Sequence, residues 1–266
     1  MKIFLSLLIF VVISSLASLV GLGGGVFYVP ALIFLGYSFN EASTLSLFLI
    51  VVTGLSASLR FRRGGLIDWK MALVMEFFTG MGAFVGGITS ISFNETFLKI
   101  LFSTVLLVIA VFILVKKGSE NGRQHPIKTG MGYWVRHFNG MTYSIPILLM
   151  IAVTFSAGYL SSILGISGGA IKVAAMILLF GIPSKVAVAT SSLMVGFTGL
   201  TGLAGHLVHT TIDWKIALML IVAVFIGGKL GSKISMGFSE KTVNNVAGFI
   251  YIGLAFLMIL EIIFMH

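Results

Sequence analysis

The sequence predicts an all-α polytopic membrane fold built from two copies of one helical unit, and three observations carry that expectation. Apolar residues make up 58% of the chain and charged residues 9%, with a mean hydropathy of +1.12, whereas a soluble domain carries roughly a quarter charged residues. Apolar stretches of about 20 residues, the helical length that crosses a hydrocarbon core, recur from end to end. The segment I-D-W-K-M-A-L at 67–73 returns as I-D-W-K-I-A-L at 212–218.

In chain order, the apolar runs place spans at 3–20, 44–59, 71–93, 96–115, 145–164, 186–208, 215–235 and 244–264. Two shorter runs, 26–36 and 168–182, read as half-helices or short tilted spans behind glycine turns. The 32 glycines fall mostly inside these segments. Small residues let membrane helices approach closely, and they let the backbone break where protein satisfies it. Residues 1–20, with Lys2, an apolar core and then Ala17 and Ser18, also have the outline of a secretory leader. Ser18 aligns with Ser162 in mid-chain, so these residues are expected to be an integral helix.

The duplication extends beyond the tryptophan motif. The same spacing pairs Thr53-Gly54-Leu55 with Thr198-Gly199-Leu200, Gly82 with Gly227, Gly86 with Gly231, and Glu95 with Glu240. Shifted by one residue, Gly21-Leu22-Gly23-Gly24-Gly25 meets Gly165-Ile166-Ser167-Gly168-Gly169. The expected units are 1–117 and 145–266, joined by a basic cytoplasmic linker, 118–144. Arg60, Arg62, Arg63 and Lys70 mark one loop of the first unit, whereas Lys229, Lys233 and Lys241 mark the opposite end of the second. The basic side has switched, which by the positive-inside rule predicts an inverted repeat with the broken helices meeting near the midplane.

The net charge of +9 sits beside spans, as orienting loop charges do, so the partners expected are a lipid bilayer and a small solute, with no nucleic acid. Without cysteine there is no disulfide or thiolate chemistry. No H-E-x-x-H, nucleophile elbow or G-x-x-x-x-G-K-[ST] loop occurs, so neither an enzyme, nor an ATP-driven pump, nor a bound cofactor is expected. His206 and His209 share a helix face, but with only Asp213 nearby no metal site is expected.

Unpaired N–H groups and the macrodipole make a helix N-terminus attractive to anions. Gly23, Gly24 and Gly25 would open one half-helix, and Ser167, Gly168 and Gly169 the other. Ser43, Thr44 and Ser46, and Thr190, Ser191 and Ser192, open the helix after each hairpin and add hydroxyl donors. Lys172 lies in the first turn of the second half-helix, where an ammonium needs an anion, a carboxylate or a route to the interface. Glu76, Lys99 and Glu261 lie nearer span ends and read as interfacial, with Glu76 the carboxylate best suited to proton coupling. Asp68-Trp69-Lys70 and Asp213-Trp214-Lys215 read as helix-start anchors.

G-L-G-G-G-V-F-Y-V-P (21–30), its echo G-I-S-G-G-A-I-K-V-A (165–174) and A-T-S-S-L (189–193) resemble the TauE/SafE sulfite exporter family, over nearly the whole chain. That resemblance implies a secondary transporter of the inner (plasma) membrane. It would move sulfite, sulfoacetate or another organosulfonate without hydrolysing nucleotide; protons are a candidate coupling ion on the strength of Glu76, not of the resemblance. The alternative is an anion-selective channel, or a carrier for sulfate, thiosulfate or a carboxylate. Ser167 among the glycines and Ala174 opposite Pro30 are departures within the second unit.

Overall fold

A computed structural model describes residues 2–20, 24–62, 65–115, 127–235 and 240–264. Its helices are α1 (Lys2–Val20), α2 (Gly25–Phe34), α3 (Phe39–Arg62), α4 (Trp69–Thr89), α5 (Glu95–Val115), α6 (Ile147–Ile163), α7 (Gly169–Leu178), α8 (Ser184–His206), α9 (Trp214–Ser235) and α10 (Glu240–Phe264). The duplication is visible in their starts: α3, α4 and α5 are each followed 145 residues later by α8, α9 and α10. Helices dominate because each closes its own backbone hydrogen bonds, as an apolar surrounding demands. Four described segments, Trp69–Ser92, Glu95–Leu114, Ser184–His206 and Asn245–Phe264, are long and apolar enough to cross a membrane. At 10 residues each, α2 and α7 are half that length or less, and positive-φ glycines, Gly36 and Gly181, follow them in the two units.

The helices after the short segments start earlier than apolarity suggests. Ser38 and Glu41 form a reciprocal cap at the start of α3: Ser38 N–H donates to Glu41 Oε2 at 2.9 Å, and Glu41 N–H donates to Ser38 Oγ at 3.4 Å. This S-x-x-E box precedes the apolar run and begins the helix at Phe39. Ser43 and Thr44, like Thr190 and Ser191 in α8, therefore sit one turn or more inside the helix.

Packing runs mostly between units. α4 lies on α6, α1 on α9, α3 on α8 and α5 on α10. The α4–α6 contact is close enough that a Cβ on Gly158 would collide with the carbonyl of Thr79, and one on Gly82 with that of Phe155. The two pairs of repeat-equivalent helices run antiparallel. Gly54 of α3 meets the backbone of Gly196, whereas Gly199, one turn on in α8, meets Leu47 and Ile50 further back in α3. Lys99 of α5 pairs with Glu261 of α10 at 2.9 Å, while Leu114 packs on Gly248. Lys99 also reaches Glu95 at 3.2 Å. Glu261 is buried by this contact, so it ties two helices together where an interfacial position was expected.

The linker is more ordered than its basic composition suggests. Residues 118–126 lie outside the described residues, but 133–146 form an antiparallel hairpin, β1 (Tyr133–Phe138) and β2 (Met141–Pro146). Asn139 and Gly140 take positive φ at its tip, the two-residue turn that Asn-Gly favours. The second unit's first helix accordingly starts at Ile147, not at 145. The hairpin docks on the N-terminus of α4. Arg136 Nη2 donates to Asp68 Oδ1 at 2.6 Å, Tyr143 O–H donates to Asp68 Oδ2, and Asn139 Nδ2 donates to the Gly65 carbonyl at 3.0 Å. Asp68 also caps α4 by accepting from Met71 N–H. Burial by itself would push the Asp68 carboxyl up, but the hydrogen bonds from Arg136, Tyr143 and Met71 outweigh it and hold the group below the ordinary carboxylate range.

Two outcomes follow from these contacts. Gly158→Leu drives a side chain into the α4 backbone and should lower stability by about 1–3 kcal/mol, read as a fall in the melting temperature of the detergent-purified protein. Arg136→Gln leaves the Asp68 carboxylate buried without its cation, at a cost of about 3 kcal/mol near neutral pH. Because the folded Asp68 titrates below its unfolded value near 4, its contribution is present above that pH and lost as pH falls. The stability gap between wild type and Arg136→Gln should therefore narrow below about pH 4; a constant gap in pH-dependent unfolding would contradict the lock.

Candidate functional site

The second glycine turn is described in full. After α6 ends at Ile163, Gly165 and Gly168 both take positive φ, 64° and 60°, which lets the chain reverse into α7 without a side-chain clash. The first N–H groups of α7 have no partner within the helix and open toward this turn. Of the first turn, Gly24 and Gly25 are described and Gly23 is not. Gly24 caps α2, with the Tyr28 ring packed beneath it. Gly25 lies against the second turn, where a Cβ would meet the Gly165 carbonyl oxygen at 2.8 Å and Ile166 Cα at 2.9 Å. The two glycine turns thus touch.

Hydroxyls line the contact. Ser46 of α3 donates to the Gly165 carbonyl at 2.6 Å. Ser43 sits directly on Gly165, and Ser162 on Gly202 of α8. Neither the Ser43 nor the Ser162 hydroxyl, both buried, has a hydrogen-bond partner. Orphaned buried hydroxyls are rare because each forfeits the bonds it made in water. Ser191 donates to the Gly169 carbonyl at 3.2 Å, Ser167 is buried within the turn, and Ser161 packs under Gly168.

The remaining predicted hydroxyls serve the scaffold. Thr44 donates to Asn40 at 2.7 Å, Ser192 bonds back to Val188 at 2.8 Å, and Thr190 accepts the Asp68 N–H at 3.2 Å. His206 is 1% exposed, with Nε2 at 2.9 Å from the Ser162 carbonyl and Nδ1 at 3.2 Å from Thr44 Oγ1. A carbonyl only accepts, so Nε2 carries a proton and donates it to Ser162. His209 is exposed at the helix end.

Lys172 is 1% exposed. Helical side chains lean toward the N-terminus of their helix, which carries this one back toward the turn. Its Nζ donates to Thr198 Oγ1 at 2.7 Å, and Thr198 donates in turn to Glu76 Oε1 at 2.7 Å. Glu76 Oε2 lies 3.7 Å from Nζ and accepts no hydrogen bond. Glu76 thus faces the bundle interior as the counter-charge of Lys172, not the membrane interface. Apolarity counts along α4 could not show that, since Lys172 approaches from another unit. Thr198 is the residue that sequence reasoning passed over. Its signal was present in the repeated Thr-Gly-Leu, whose first copy, Thr53, only bonds back to Leu49 and Ile50.

Comparison with known proteins places this geometry in context. The family profile "Sulfite exporter TauE/SafE" matches residues 6–258. The chain is 32% identical to "Probable membrane transporter protein YunE" of Bacillus subtilis, covering 98% of this chain and 100% of the relative. It is 24% identical to "Probable membrane transporter protein MJ0441" of Methanocaldococcus jannaschii, over 86% and 85% of the two chains. No solved structure matches.

Thr198 is expected to hold the buried charges together. Thr198→Val keeps the shape and removes the bridge, and should lower stability by about 1–3 kcal/mol, while Thr198→Ser restores most of it. Melting temperatures of the two variants in the same detergent are the measurement.

Proposed function

We propose a function from one premise: the chain belongs to the TauE/SafE sulfite exporter family. It is a multi-pass membrane transporter. Its cargo, on our reading, is a small sulfur-containing anion, such as sulfite, sulfoacetate or another organosulfonate, moved by secondary transport across the inner (plasma) membrane.

What supports this reading is a set of groups suited to an oxyanion on the second glycine turn and the helices packed around it. The N-terminus of α7 supplies N–H groups that have no partner within the helix and the positive end of a dipole. Ser43 and Ser162 supply hydroxyls without partners, and Lys172 supplies a buried ammonium. Sulfite and sulfonate present three oxygens to such donors. A neutral solute has no charge with which to compete with Glu76 for the ammonium.

An inverted repeat is part of the same reading. Antiparallel pairing of α3 with α8, and of α5 with α10, is what inversion of the two units requires. The switch of basic residues from 60–70 in the first unit to 229–241 in the second points the same way. With the units inverted, two broken helices enter from opposite sides and bring their turns together in mid-membrane, the arrangement by which inverted-repeat transporters build a substrate site.

Binding and topology are tested separately. Hydrogen bonds to charged groups contribute about 1.5–3 kcal/mol, so Lys172→Met should weaken sulfite or sulfoacetate binding by about one to two decades. Gly168→Val should impair transport in liposomes while insertion persists. A Kd within about twofold of wild type for folded Lys172→Met would remove Lys172 from the site. For topology, the absence of native cysteine permits a direct labelling experiment. Gly65→Cys and His209→Cys lie in equivalent loops, and an impermeant reagent should reach only one of them from a given side. Equal labelling would mean parallel units.

A further inference from the structure

We propose that Glu76 and Lys172 form a charge switch that couples one proton to each anion: the arriving anion takes the Lys172 ammonium, and Glu76, losing its counter-charge, binds a proton from water. The inference rests on the reading of the site given above and adds the step that ties the proton on Glu76 to the arrival of the anion at Lys172.

The geometry supplies each part. Lys172 is buried, and its charge is met by one carboxylate at 3.7 Å, with Thr198 bridging at 2.7 Å on each side. The pair is neutral as a unit, which makes burial of either member tolerable. A monoanion entering this site brings one uncompensated negative charge. If it engages Lys172, the ammonium has two negative partners, one of them Glu76. Protonation of Glu76 removes the excess: ammonium, neutral acid and bound anion again sum to zero. The carboxyl has room for that proton, because Oε2 is buried and accepts no hydrogen bond.

Thr198 lets both states be satisfied. Its hydroxyl lies 2.7 Å from Glu76 Oε1 and 3.0 Å from the Met194 carbonyl, so its single proton can serve either acceptor. With Glu76 ionised it points at the carboxylate. With Glu76 protonated it turns to Met194, and its oxygen remains open to a donor.

The surrounding elements offer Glu76 no other described charge within ion-pair distance. On α6 the titratable side chain is Tyr159, engaged by the Thr89 hydroxyl at 3.2 Å. On α8, His206 is held by Ser162 and Thr44, and Lys185 is exposed. On α4 itself, Asp68 is closed by Arg136 and Tyr143, and Lys70 is exposed.

The test uses the purified full-length protein and has two arms. The first needs no ligand. Infrared spectra at neutral pH should show Glu76 ionised in wild type, whereas Lys172→Met, or Lys172→Gln should the first variant not fold, should gain a protonated-carboxyl band that adding Glu76→Gln removes. The second arm titrates methanesulfonate, whose own charge does not change across the working range. Wild type should take up one proton per anion bound, with affinity falling about tenfold per pH unit on the alkaline side; Glu76→Gln should bind independently of pH and take up none. Binding by wild type without proton uptake, or no new carboxyl band in the Lys172 variants, overturns the switch. If methanesulfonate and sulfite both fail to bind, the substrate class falls while the infrared arm still decides the fate of Glu76.

Discussion

A helix that stops part-way through an apolar bundle leaves backbone N–H and C=O groups with no water to take them. The described turn between α6 and α7 meets that constraint, and much of the architecture around it answers to it. The turn is buried against the start of α2, with Gly25 on Gly165 and Ile166. Serines from α3 are brought onto the exposed carbonyls, as Ser46 onto Gly165. α8 runs alongside, meeting α7 through Ser191 and α6 through Gly202 and His206. Groups that satisfy a broken backbone are the groups that can hold a polar solute, so the structural demand and the proposed site coincide.

Duplication gave the molecule two nearly equivalent positions and charge occupies only one. Lys172 corresponds to Tyr28, Thr198 to Thr53, and Glu76, at the same spacing, to Ile221. Tyr28 is fully buried beneath Gly24, and Thr53 bonds to its own helix. One neutral ion pair in an apolar interior is tolerable, and a second would add its own desolvation cost. Asp68 and Asp213 diverge in the same way. Asp213 is exposed and caps α9 locally, whereas Asp68 is buried under the β1–β2 hairpin.

α8 connects these parts. Along one helix, Thr190 meets Asp68 under the hairpin, Thr198 holds the ion pair, and His206 joins Ser162, Thr44 and Ser90. Because α8 is mostly buried, displacing it would disturb the hairpin lock, the charge pair and the glycine turn together.

The sequence alone determined the membrane class, the recurrence, the glycine turn before α7 and the candidacy of Lys172, because each is a local property: apolar length, repetition, backbone freedom, or one charge in an apolar run. It also held signals that apolarity counting overlooks, the Ser38–Glu41 cap and the Asn139-Gly140 turn, since both lie in polar punctuation between spans. What only tertiary structure decided was pairing. Nothing local to α4 directs Glu76 toward Lys172 instead of a membrane surface, and nothing local to α5 selects Glu261 for Lys99. Those contacts depend on which helix faces meet after the chain has folded, through close approaches such as Gly158 on Thr79. A charge chooses its partner by distance in space, and separation along the chain carries almost no information about that distance once helices from different units pack together.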